Sequence, residues 1–200
     1  MQGTFAMSPY LTDLNLRQDF VEAPSQMLEN WMWRPEILAL VSRNVKTGQP
    51  LPKSLIDRMI AAKHMGDGLG GTGQIFYGLY DMTLATSPPS IDLTGTWNSL
   101  MSRVTVNEVV PAGYPESSFG HLMSGYDAGY YGYLWSKVLA QDLFTRFAKE
   151  GLLNPQTGMA YRRLVLEPGG LREPDEIIQD FLGRPLNYAA FYEEMGIKPQ

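Results

Sequence analysis

Apolar residues along this chain recur at offsets of three and four rather than two, and that spacing predicts helices. The segment Asp19–Trp31 sorts its side chains by chemistry when it is wound as a helix. Glu22, Ser25, Gln26 and Glu29 share one face, and Phe20, Ala23, Pro24, Met27, Leu28 and Trp31 share the other. Pro24 fits a first turn, where its missing N–H costs nothing, so the regular helix is expected to begin near Glu22. Arg34-Pro35-Glu36 marks a second start, carried on by Ile37, Leu38, Leu40 and Val41 and ended by Gly48-Gln49-Pro50. Leu51–Ser54 opens a third helix with Leu55, Met59, Ile60 and Ala62 as its apolar stripe. Residues 66–73 (GDGLGGTG) predict a flexible connection; they lack the G-K-[ST] ending and the preceding strand of a phosphate loop. Further helices are expected over Gln74–Leu84, residues 91–110, Leu134–Lys149, Asn154–Leu166, Glu173–Leu182 and Asn187–Met195. Residues 1–18 hold no period and are expected to form an irregular lead-in. Alternating patterns are nearly absent. The fold class that follows is mostly α, a multi-helix assembly with little or no β, in a single helical domain over residues 1–200.

Two stretches carry candidate chemistry. In the first, Glu22 and Glu29 lie a double turn apart on one helical face, placed to meet water, a metal or a substrate. Glu22 falls at the helix start, close to the bulk of the protein. The second stretch, Phe119–Trp135 (FGHLMSGYDAGYYGYLW), places Tyr126, Tyr130 and Tyr133 at i, i+4 and i+7, so a helix would line their phenols up. Gly125, Gly129 and Gly132 repeat the spacing one position earlier. Each glycine in a helix costs about 1 kcal/mol relative to alanine, which implies close approach to this backbone or movement of it. Two readings fit: a tyrosine-rich core packed against a crossing helix, or the polar wall of a cleft. In a cleft, phenols are neutral donors that can stabilise a developing oxyanion, and His121 just upstream adds a donor of another kind. His64, Glu193 and Glu194 read as solvated surface residues.

Composition narrows the classes. The chain has 200 residues, 44% apolar and 18% charged, enough for a globular core. A net charge of −5 without a basic cluster argues against a nucleic-acid partner. Without a membrane-length apolar run or a signal-peptide pattern, the expectation is a cytoplasmic protein with no membrane partner. There is no cysteine, there are only two histidines, and no H-E-x-x-H occurs, so a zinc site of that kind cannot be built from this chain alone.

Three blocks together resemble the thimet oligopeptidase family of zinc metallopeptidases: DFVEAPSQMLENW at 19–31, FGHLMSGYDAGYYGYLW at 119–135, and YRRLVLEPGG with FLGRP at 161–170 and 181–185. The likeness is colinear over nearly the whole chain from Asp19. It implies the C-terminal portion of a catalytic domain that hydrolyses short peptides. Under it, Glu22 matches the third zinc ligand, and Tyr133 matches the tyrosine that stabilises the oxyanion. His121, Tyr126 and Tyr130 match residues that hold the substrate backbone or assist that stabilisation. Glu29 becomes a candidate for orienting a ligand histidine. The expected cofactor is zinc, and the expected partners are short peptides and an N-terminal half carrying H-E-x-x-H. Without that half the 200 residues are expected to be inactive. The alternative is a non-catalytic helical module that binds peptides or subunits, with an exposed apolar wall that favours self-association.

Overall fold

The computed structural model of the chain describes residues 16–109 and 112–198. Most of the expected lead-in, residues 1–15, lies outside them. The described residues form helices joined by turns, with no strand among them. Contacts group the chain into two compact units, one made of residues up to Met65 and from Lys137 onward, the other of Gly66–Ser136.

In the first unit, α1 (Ala23–Glu29) begins at the predicted place, with Glu22 as its N-cap and Pro24 in the first turn. It passes into a 3₁₀ turn, Asn30–Trp33. Phe20, Ala23 and Met27 are buried, whereas Leu28 is exposed, so the apolar face is narrower than its sequence implies. Helix α2 (Pro35–Val41) buries Ile37 and Leu38 but exposes Leu40 and Val41. It ends well before Gly48, because the Asn44 side chain accepts the N–H groups of Lys46 and Thr47 and closes a turn instead. Helix α3 (Lys53–Ala61) turns a different face inward from the one expected. Ile56 is 3% exposed, while Leu55 and Met59 of the predicted stripe are each 42% exposed.

Helix α6 (Gly132–Glu150) starts in the other unit and supplies the first unit's spine. Leu139, Leu143, Phe144 and Phe147 recur at helical spacing and all are buried, as their pattern predicts. Gly151, at φ +111°, stops the helix. Helix α7 (Pro155–Tyr161) is capped by the Asn154 side chain and continues as a π-turn over Arg162–Leu166. Helix α8 (Pro174–Leu182) ends on left-handed Gly183, and α9 (Ala189–Glu194) follows. Tyr161, Val165, Ile177, Ile178 and Phe181 close the core against α1 and α6. The buried Asp142 carboxylate accepts from Arg184 at 2.6 and 2.8 Å and from the Asn187 N–H at 2.8 Å, so its charge is fully compensated. Glu194 departs from the solvated reading. It meets Lys63 at 2.6 Å, both side chains being largely covered.

The second unit corrects the flexible connection expected at residues 66–73. Helix α4 runs from Asp67 to Thr86 straight through those glycines, entered from left-handed Gly66 at φ +88°. The helix beyond residue 91 is shorter than expected: α5 covers Leu93–Val104, with the Asp92 side chain capping Gly95 N–H. Helices α4 and α5 pack together and enclose Phe76, Tyr80, Trp97 and Leu100, with Phe119 and Tyr130 completing the cluster.

Candidate functional site

The histidine and tyrosine stretch is not the helix entrance its spacing predicts. Short 3₁₀ turns at Pro115–Ser118 and Gly120–Met123 lead into turns through residues 124–131, and only Gly132 begins α6. Gly125 adopts φ +83° and Ala128 φ +57°, left-handed values that no continuous helix contains. Holding a non-glycine residue such as Ala128 there costs on the order of 1–2 kcal/mol, which neighbouring contacts must supply.

The aromatic residues nevertheless converge. The His121 ring lies 5.0 Å from Tyr130, 5.6 Å from Tyr126 and 5.7 Å from Tyr133, edge-on to each. Tyr126 and Tyr133 stack at 5.2 Å with their planes 6° apart, and Tyr130 meets Tyr133 at the same distance. The cluster forms by a folded-back loop meeting the first turn of α6, not by a single helical stripe. His121, Tyr126 and Tyr133 are half-buried, which leaves an imidazole and two phenols on one partly open surface. Tyr130 is 7% exposed, and its hydroxyl is hydrogen-bonded to Gln74. Burial pushes its phenol above the ordinary value, and the nearby Tyr77 adds to that against the hydrogen bond from Gln74. Tyr130 is therefore core, as the packing reading expects, and His121, Tyr126 and Tyr133 lie half-buried beside it.

Sequence reasoning missed the residue that holds this loop. Asp81 on α4 is 1% exposed, and its carboxylate accepts the N–H of Ala128 at 2.8 Å and of Tyr130 at 3.0 Å. One clue existed: a lone carboxylate inside the apolar run Ile75–Leu84 needs buried donors.

Glu22 and Glu29 lie in the other unit. Glu22 is half-buried at the start of α1. Ser25 Oγ sits 2.9 Å from its carbonyl oxygen and 3.1 Å from Oε2, so one hydroxyl proton serves either acceptor. Glu29 is exposed, as is His64. Zinc requires three or four nitrogen, sulfur or oxygen donors around one point. Among the described residues no group of three or more His, Cys, Asp or Glu side chains is arranged to hold a metal ion. By their own donor set the described residues do not fit zinc: Glu22 offers one carboxylate, and no group of donors among them completes a site. No helix among the described residues is long and apolar enough to cross a membrane.

Comparison with known proteins covers both stretches. The chain is 42% identical over 187 residues to saccharolysin of Saccharomyces cerevisiae, which covers 90% of this chain and 26% of the relative. It is 40% identical over 184 residues to oligopeptidase A of Escherichia coli, covering 90% and 27%. Likeness to dipeptidyl carboxypeptidase of Escherichia coli is 26% over 217 residues, covering 98% and 30%. The chain thus spans about a quarter of the length of the curated relatives it matches. The family model described as peptidase family M3 matches residues 1–197. With the Glu22 helix and the His121–Tyr133 loop both inside that match, the chain belongs to peptidase family M3.

Proposed function

We propose that this chain forms part of a zinc-dependent oligopeptidase acting on short peptides, to which it contributes a histidine–tyrosine wall and one ligand carboxylate. The observation that carries this reading is the convergence of His121, Tyr126 and Tyr133 on one half-buried surface. In the proposed reaction, Tyr133 and His121 donate hydrogen bonds to the oxygen of the bond being cut as negative charge grows there. Neutral phenols suit that task, because they stabilise the charge without attracting an anion beforehand. Tyr126, stacked on Tyr133, helps hold the peptide backbone, and Tyr130 backs the wall from the core side.

Glu22 is the proposed carboxylate ligand, and Glu29 on the same helix is proposed to orient a ligand histidine. The H-E-x-x-H pair that would complete the site does not occur in these 200 residues and is proposed to be supplied from outside them. The proposed setting is cytoplasmic, with peptides as the partners.

The test is to express the polypeptide that carries this chain from its own reading frame and to follow cleavage of a short internally quenched peptide. Chelator-sensitive cleavage is expected. The variant Tyr133→Phe is expected to lower kcat by about 10²–10³, with a smaller change in KM, because the lost donor acts in the transition state. A polypeptide that cuts no peptide, or a Tyr133→Phe variant as fast as wild type, overturns the reading.

A further inference from the structure

One face of α4 is given over to the histidine–tyrosine loop. Gln74, Tyr77, Gly78 and Asp81 stand at i, i+3, i+4 and i+7, a single helical stripe. Each meets the loop differently. Gln74 hydrogen-bonds the Tyr130 hydroxyl, and the Tyr77 ring lies 5.4 Å from the Tyr130 ring. Gly78 faces the loop backbone: a Cβ there would stand 3.5 Å from Tyr131 Cα, an ordinary van der Waals contact. Asp81 takes the two N–H groups on either side of Gly129.

We propose that Asp81 is a positioning residue for the peptidase reaction, a role that rests on the function proposed above. It acts by clamping the loop so that His121, Tyr126 and Tyr133 are held in one arrangement before any peptide arrives. A loop with left-handed residues at 125 and 128 has many other conformations open to it. A carboxylate with both oxygens engaged selects the one in which Tyr130 is buried, and Tyr130 is the ring against which His121 and Tyr133 rest. Charge-assisted hydrogen bonds are short and about twice as strong as neutral ones, and burial at 1% exposure removes competition from water. Substrate would then not have to order the donors at the cost of its own binding energy.

Hydrogen exchange followed by mass spectrometry on the polypeptide that carries this chain tests the clamp without reference to activity. In the wild type, the amides of Ala128 and Tyr130 are expected to exchange more slowly than those of their exposed neighbours Gly125 and Asp127. The variant Asp81→Asn replaces an oxygen acceptor by an amide that faces an N–H. It is expected to speed exchange at Ala128 and Tyr130 by about 10-fold or more, with the amides of α5 unchanged. In an active polypeptide the same variant lowers kcat by about 10-fold or more, with less change in KM.

Unprotected amides at Ala128 and Tyr130 in the wild type overturn the clamp even if Asp81→Asn cannot be purified. Exchange that speeds equally through α5 also overturns it, because Asp81 would then serve the fold at large. A loop-confined effect with unchanged kcat overturns the catalytic positioning while leaving the clamp. A loop-confined effect in a wild type that cuts no peptide supports the clamp and removes only the peptidase reading.

Discussion

Tyrosine is the residue through which the environment speaks most clearly. Burial, and after it the charges of Glu116 and Asp92, push the Tyr80 phenol up to about 12, and burial raises Tyr161 and Tyr130 as well. A phenol whose folded value exceeds its unfolded value near 10 is held neutral by the fold. Between those two values the unfolded chain has lost the proton and the folded chain keeps it, so stability falls as pH rises. The contribution of Tyr80 is therefore complete below pH 10 and is lost as pH rises through about 12. Urea unfolding from neutral to strongly alkaline pH is expected to show this decline, at most about 1.4 kcal/mol per pH unit from each phenol. Tyr80→Phe is expected to shallow the slope, and a slope indifferent to that change would refute the assignment. The same residue type shows how far sequence can be read. Tyr126, Tyr130 and Tyr133 stand out by spacing, but only packing separates Tyr130, sealed against Gln74, from the two half-buried rings beside it.

Among the elements, α4 departs furthest from its sequence. Four glycines in its first two turns argue for a loop by propensity, yet these residues are helical from Asp67. No neighbour lies within 4 Å of where a Cβ would stand at Gly68, Gly70 or Gly73, so close packing does not require glycine at those three positions. Gly68→Ala and Gly70→Ala are accordingly expected to raise stability by about 0.5–1 kcal/mol each, measured by denaturant unfolding. Unchanged or lowered stability would favour a loop there. Helix α6 behaves in the opposite way. Its apolar spacing, its length and its glycine stop all agree, and the structure follows them. Between these extremes lie α2, where half of the predicted stripe is buried, and α3, where periodicity finds the helix but not its buried face. A short helix has too few turns for its stripe to specify a direction, and the neighbouring elements choose it.

At the scale of the whole molecule, the two proposed halves of the chemistry are on different units: Glu22 in the first, the histidine–tyrosine loop in the second. The 200-residue chain, purified with excess zinc and desalted, is expected to retain far less than one zinc per chain by atomic absorption, because a lone carboxylate does not hold the ion. Stoichiometric retention would overturn that view. Sequence by itself determined the helical class, most helix starts and the long α6 core stripe, and it singled out Glu22, His121, Tyr126, Tyr130 and Tyr133 as candidates. The elements follow from local rules of capping and spacing that act within a few residues, and the candidates stand out by side-chain chemistry and family resemblance. Tertiary structure alone decided that residues 67–73 are helical, that the tyrosine loop folds back instead of extending α6, and that Asp81 holds it. The reason is physical: the hydrogen bonds of Asp81 join residues 47 and 49 positions apart, and no local pattern encodes a partner at that distance.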